Sequence, residues 1–351
     1  MLLYIHIPFC DSKCSYCAFN SYVDKFHLKR SYMKALEVQL EFELKRFATK
    51  KESIESVFIG GGTPSTISAS MYKPLFKVIK PYLKKDIEIT SEANPNSATK
   101  EWLDGMFELG VNRISFGVQS FNKDKLKLLN RAHSSEDAKR AIIDAKEVGF
   151  QNISLDLIYA TLGDTKELLE QDLKTAFSLP INHLSAYALI IEESTPFASR
   201  PEMSKESLKL TKWFFKEIAS FGFKQYEISN FGVYQSSHNL GYWDYKDYIG
   251  LGSGAVGKLD FERFYPQTIL EDYISNPLDI RAESLTQEDK ITEQLFLGFR
   301  SSLGVDAKIL DKAQTKRAKI LVDEKKLTLI DGKLYNLDFL LADEIVLFLY
   351  S

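Results

Sequence analysis

Cysteine is scarce in this chain: 351 residues contain 3, and none lies outside the run Cys10-Asp11-Ser12-Lys13-Cys14-Ser15-Tyr16-Cys17. An odd count crowded into one loop excludes the disulfide framework of a small secreted protein. Long apolar runs are also missing. No stretch approaches the ~20 residues needed to span a bilayer, and no charged segment followed by an apolar core opens the chain as a signal peptide would. Neither sign of charge dominates, since 45 Lys+Arg against 48 Asp+Glu leave a net −3. Basic pairs such as Lys316-Arg317 have acids close by, so the footprint of a nucleic-acid-binding protein is absent. Repeats and low-complexity segments are lacking too. These absences predict an ordinary cytoplasmic protein with no nucleic-acid partner and no membrane insertion, in a compartment where thiolates stay free to bind metal.

What is present is the spacing C-x3-C-x2-C. Three thiolates on one short loop can hold three irons of a cubane and leave the fourth iron open to a small molecule, although most protein-held clusters use four thiolates. Structural zinc wants four protein ligands, and His6, four residues before Cys10, could complete a Cys3His set. Yet His6 lies in a strand-like run where it shares a face with Tyr4, so a packed histidine is the competing reading. The open iron–sulfur site, with Cys10, Cys14 and Cys17 as metal ligands, fits best.

Short apolar runs alternate with amphipathic stretches. Strands are predicted over 2–7, 56–59, 87–91, 113–117, 153–158 and 183–188, with helices such as 28–47 and 134–148 between them. Leu36, Leu40, Leu44 and Phe47 give the first helix its apolar stripe. This alternation predicts an α/β fold with a parallel sheet, and periodicity does not choose between an open barrel and a doubly wound sheet. Polar or glycine-rich groups recur at the strand ends: Cys10 after the first, Gly60-Gly61-Gly62-Thr63-Pro64 after the second, Glu92-Ala93-Asn94-Pro95 after the third, Gln119 after the fourth, Asp156 late in the fifth. Functional groups of α/β folds gather at those carboxyl ends. Beyond 285 the pattern changes to helices over 287–300 and 308–324. A hairpin at 327–335 follows, where Asp331-Gly332 suits a type I′ turn. Two units are expected, 1–285 and a small helical, winged-helix-like 286–351.

With Tyr4-Ile5-His6-Ile7-Pro8-Phe9 before it, the cysteine run resembles the radical S-adenosylmethionine superfamily, and within it the oxygen-independent coproporphyrinogen III oxidase-like group. The likeness covers nearly the whole chain and implies a partial (β/α)6 barrel. It also implies a [4Fe–4S] cluster whose open iron is chelated by S-adenosylmethionine, whose sulfonium is cleaved by one-electron transfer from the cluster. By the same resemblance Tyr4, Tyr16, Gly62, Thr63, Glu92, Gln119, Arg131, Asp156 and Ala188 line the S-adenosylmethionine pocket. Their chemistry suits that role, because carboxylates accept from an ammonium or from ribose hydroxyls and Arg131 can clamp a carboxylate. The glycines allow close backbone approach and clear space beside the cluster. One segment departs from the group's D-L-I-Y-G-L-P-G-Q-T, with Ala160 in place of a glycine and Leu162 in place of a proline.

Two features separate the members of that group. Coproporphyrinogen oxidases carry a fourth cysteine two residues after the third, where this chain has Phe19, and an N-terminal arm before the first strand. Conversely, Ser237-His238-Asn239-Leu240-Gly241-Tyr242-Trp243 contains H-N-x-x-Y-W, which resembles the haem-binding motif of the group's haem chaperones. Tyr226-Glu227-Ile228-Ser229-Asn230-Phe231 matches the same subgroup. His238 can ligate haem iron as a neutral imidazole, Asn239 belongs to the same pattern, and Tyr242 and Trp243 offer flat apolar surface to a porphyrin. The competing reading is a buried histidine in an aromatic cluster that closes the barrel. Gly250-Leu251-Gly252-Ser253-Gly254-Ala255 reads as a flexible small-residue loop. The resemblance thus implies a haem chaperone whose partners are haem, an acceptor protein and, if radical chemistry occurs, an electron donor. A coproporphyrinogen oxidase or other porphyrin-modifying radical enzyme is the alternative.

Overall fold

The computed structural model describes residues 1–351. Six parallel strands are laid down in chain order: β1 (Leu2–Ile7), β2 (Ile54–Gly61), β3 (Leu83–Ala93), β4 (Arg113–Gln119), β5 (Asn152–Tyr159) and β6 (His183–Ala188). Between them run α1 (Lys29–Arg46), α2 (Lys73–Ile79), α3 (Lys100–Glu108), α4 (Lys123–Leu128), α5 (Ser135–Val148) and α6 (Lys166–Phe177). Each strand pairs with the next, so the order carries no reversal and no switch point. That settles the question left by periodicity: the sheet curls into a partial (β/α)6 barrel rather than a doubly wound sheet.

The sequence pattern explains the elements. Leu36, Leu40, Leu44 and Phe47 are all buried, so the apolar stripe of α1 faces the sheet. A capping box between Ser134 and Asp137 starts α5, and Gly149 ends it at φ +123°. Outward residues such as Ile5, Ile59 and Ile114 enter the barrel-to-helix core, while polar side chains point to the lumen.

The sheet extends past both edges of the barrel. After α7 (Leu208–Ser220) come β7 (Lys224–Gln225) and β8 (Asn230–Gly232); β8 adds antiparallel to β6, and β7 pairs antiparallel with β8 at the sheet edge. Next come α8 (Ser237–Trp243), β9 (Tyr248–Leu251), β10 (Gly257–Leu259), β11 (Glu262–Pro266), α9 (Leu270–Ser275) and β12 (Ile280–Ser284). β9 lies parallel to β1 on its free side, giving twelve strands in all. The expected flexible loop at 250–255 is instead the end of β9 and a packed turn. Ser253 is fully buried there, with its amide donating to Tyr32 Oη at 3.1 Å.

The remaining chain holds α10 (Gln287–Gly298), β13 (Val305–Asp306), α11 (Lys312–Asp323), β14 (Leu327–Ile330), β15 (Lys333–Asn336) and α12 (Ala342–Tyr350). Leu295, Phe299, Leu321, Leu334, Ile345 and Leu349 form their own apolar core beside a three-stranded sheet. Asp331 and Gly332 both have positive φ, +49° and +79°, as a type I′ hairpin requires. No helix is long and apolar enough to cross a membrane.

Candidate functional site

The carboxyl ends of the strands open into one cavity of about 370 Å³. Cys10, Cys14 and Cys17 line it, with Tyr16, Gly62, Thr63, Glu92, Gln119, Arg131, Asp156 and Ala188. The ends of all six strands and the turn before α5 therefore converge. Tyr4 is the exception. Its ring stacks on Phe58 and its hydroxyl meets His6 Nδ1 at 2.9 Å, one same-face layer below the cavity floor.

The cysteine loop is held by the cavity's own groups. Arg131 Nη1 donates to Cys14 Sγ at 3.2 Å and to Tyr16 Oη at 3.4 Å. Its Nη2 donates to Asn94 Oδ1 at 2.8 Å and to the Gly117 carbonyl, while Nε is buried without a partner. Thr63 Oγ1 donates to Cys10 Sγ at 3.4 Å and accepts from Asn94 Nδ2 at 3.1 Å. Burial pushes the Cys10 and Cys17 thiols above the ordinary range. Asn94, two residues after Glu92, joins Arg131 to Thr63. Its place in Glu92-Ala93-Asn94-Pro95 was the signal for that role.

Glycine at 61 and 62 has a reason different from clearance beside a cofactor. A Cβ on Gly61, at φ +107°, would fall 2.3 Å from His6 Nδ1, and one on Gly62 would fall 2.8 Å from the Ile7 carbonyl. The glycines let β2 pass close to β1 where it enters the cysteine loop. Gly61 N–H donates to Glu92 Oε2 at 3.1 Å. Burial, and then the nearby Asp156, pushes the Glu92 carboxyl up to about 8. Asp156 is itself pushed up by burial, against hydrogen bonds from Ser185 and Ser115. Gln119 sits at φ +67°, a strained conformation for a side-chain-bearing residue and one that clusters at functional sites.

These residues fit the group that the cysteine pattern implies. Three thiols share one cavity with an arginine that has a spare donor and with two carboxyls. They do not fit zinc. His6, the residue that would complete a Cys3His set, has both ring nitrogens engaged, with Tyr4 Oη and with the Asn20 carbonyl at 2.8 Å.

The H-N-x-x-Y-W segment is not brought to this cavity. It forms α8, which closes the opposite, amino-terminal end of the barrel. Leu2, Ser56 and Glu88 are cross-strand partners in β1, β2 and β3, and α8 lies across them. A Cβ on Gly241 would press into Leu2 at 2.7 Å. His238 is 1% exposed, its Nδ1 is 2.8 Å from Ser56 Oγ, and its ring packs on Phe58 and edge-on against Tyr242. Burial pushes its pKa to about 3, so it is neutral, and its Nε2 is buried with no partner. The flat surface expected of Tyr242 and Trp243 is thus not open with α8 seated. In this conformation Tyr242 packs between His238 and Tyr248, Asn239 and Trp243 are half-buried, and the aromatic cluster plugs the barrel.

Comparison with known proteins follows the same lines. Residues 4–176 match the model of the Radical SAM superfamily. The heme chaperone HemW of Bacillus subtilis (strain 168) is 35% identical, over 87% of this chain and 84% of that protein. Heme chaperone HemW of Escherichia coli (strain K12) is 40% identical, over 74% of this chain and 70% of its own length. Among solved structures, coproporphyrinogen III oxidase (HemN) from Escherichia coli, a radical SAM enzyme, superposes with a TM-score of 0.83. It is 22% identical, and the match covers 99% of this chain and 89% of that one. That likeness carries the fold.

Proposed function

The chain belongs to the HemW family within the radical SAM superfamily, and from that membership we propose that it binds haem and passes it to an acceptor protein. Cys10, Cys14 and Cys17 hold a [4Fe–4S] cluster, and Gly62, Thr63, Glu92, Gln119, Arg131, Asp156 and Ala188 surround S-adenosylmethionine, with Tyr16 fixed by Arg131. Tyr4 supports the site from beneath through His6. When bound, the cluster and S-adenosylmethionine supply one-electron chemistry, for which a reduced protein donor is the third partner. Residues 1–285 carry both sites, and 286–351 form a separate unit that packs α10 over α8.

The observation that carries the haem reading is His238. A neutral imidazole whose Nε2 has no partner, in a segment of this pattern, is a ligand held in reserve. Asn239, Tyr242 and Trp243 complete the haem site when α8 parts from the barrel end. An anaerobic optical titration of haem into the protein tests the reading. Saturable binding at a single haem per chain, lost in His238→Ala, is the expected result. Equal binding by His238→Ala would move haem elsewhere, and no saturable binding would overturn the reading.

A further inference from the structure

His238 cannot meet haem iron while α8 is seated, so something must set how readily α8 leaves. We propose that Glu88 is the positioning residue that does so, a carboxylate latch on the amino end of α8; the consequence for haem rests on the haem reading of His238. Glu88 is 6% exposed, and its carboxylate gathers four hydrogen bonds from the segment that leads into the helix. Tyr234 Oη donates at 2.7 Å and the Ser237 amide at 2.9 Å, both to Oε2. The His238 amide donates at 3.0 Å and Ser236 Oγ at 3.1 Å, both to Oε1.

The arrangement does more than satisfy a buried acid. All four donors are neutral and all lie within 234–238, so one side chain of the barrel holds one short segment. The bonds are charge-assisted, which makes them shorter and stronger than neutral ones. Two of them come from the first-turn amides of α8, groups that a helix cannot satisfy within itself. Ser236 relays the grip, because its Oγ also accepts the Asn239 amide at 3.3 Å. The His238 amide is itself one of the four donors, so release by Glu88 frees the backbone that carries the imidazole. On the far side α8 is covered by α10. Tyr226 Oη steadies the approach, accepting the Ser236 amide at 3.1 Å and meeting His183 Nε2 at 2.7 Å. The histidine is thereby kept neutral, buried and unliganded until α8 is drawn off.

Two variants test the latch by hydrogen exchange on the apoprotein. Tyr234→Phe removes one donor and leaves the carboxylate. Glu88→Gln removes the charge and turns one acceptor oxygen into a donor facing donors. Exchange of the 236–243 amides should rise by about threefold in the first and by at least about tenfold in the second, with α1 and α5 unchanged. Haem association should quicken in the same order. Unchanged protection of 236–243, or a loss spread over the whole barrel, would overturn the latch. Faster local exchange with wild-type haem kinetics would overturn its role in haem entry. If the wild-type protein takes up no haem at all while the exchange pattern holds, the haem reading fails and the latch on α8 stands.

Discussion

Glu92→Gln isolates what a buried acid at the cavity costs the fold. The carboxyl is pushed up to about 8 from an ordinary 4.5, by burial first and by Asp156 second. Below pH 4.5 the folded and unfolded chains both carry the proton, and ionisation costs nothing. Between 4.5 and 8 the unfolded chain loses a proton that the fold retains, so stability falls as pH rises; above 8 the penalty is constant. At pH 7 the window is about 2.5 units wide, and at ~1.36 kcal/mol per unit the upper bound is about 3.4 kcal/mol. Glu92 borders a cavity that admits water, and screening there brings the figure to about 1–2 kcal/mol. Glutamine cannot ionise but still accepts from Gly61 N–H. Urea unfolding of the cluster-free protein, followed by circular dichroism from acid to alkaline pH, should show the variant more stable at pH 7 and the gain vanishing near pH 4.5. A gain that does not depend on pH, or a variant weaker than wild type at pH 7, would refute the reasoning. Either would mean that the folded protein holds Glu92 as a stabilised anion.

Three further substitutions read other parts of the structure. Ala160 sits at φ +61° after β5, so Ala160→Gly should raise the urea midpoint by relieving about 1 kcal/mol of left-handed strain. Gly61→Ala combines positive φ with a Cβ 2.3 Å from His6 and should cost about 3 kcal/mol, read in the same unfolding assay. Cys14→Ala removes one of three thiols and the partner of Arg131; the brown absorbance of anaerobically reconstituted protein should disappear, and a full [4Fe–4S] spectrum in the variant would show that the ligands lie elsewhere.

The strands were legible where burial is one-sided and continuous. The predicted 2–7 and 183–188 coincide with β1 and β6, and the other four strands each gain a few residues at their ends. The cavity was legible because glycine, cysteine and acid at successive strand ends have few other reasons to coincide. The edge strands were not. β12 has almost every residue exposed, so it shows no alternation. β9 reads as a loop because its glycines are fitted to neighbours rather than to flexibility; a Cβ on Gly250 would meet the Val256 carbonyl at 2.0 Å. The departure at Ala160 was visible as a missing glycine, and its consequence, a strained backbone at φ +61°, needed the fold. The latch was invisible for a similar reason: Glu88 and Ser237 are 149 residues apart, and nothing in the composition of either segment points to the other.

The placement of the two sites bears on which reaction the protein can support. Ser56, at the level of His238, and Gly61, at the cavity floor, are five residues apart along β2. At ~3.3 Å per residue the two ends of the barrel are about 17 Å apart. Between them the lumen is filled by Tyr4, Phe58 and Thr90, not by a channel wide enough for a porphyrin. With α8 seated, His238 and the thiols of Cys10, Cys14 and Cys17 therefore lie at opposite ends of the barrel with packed side chains between them. A porphyrin-modifying enzyme needs substrate and reactive group in contact, which on the proposed haem role of His238 the seated α8 does not give. A carrier has no such need. It requires only that the state of one end alter the hold on the other, and the groups in position to transmit that are the lumen layers that join Glu92 and His6 above to Phe58, His238 and Glu88 below.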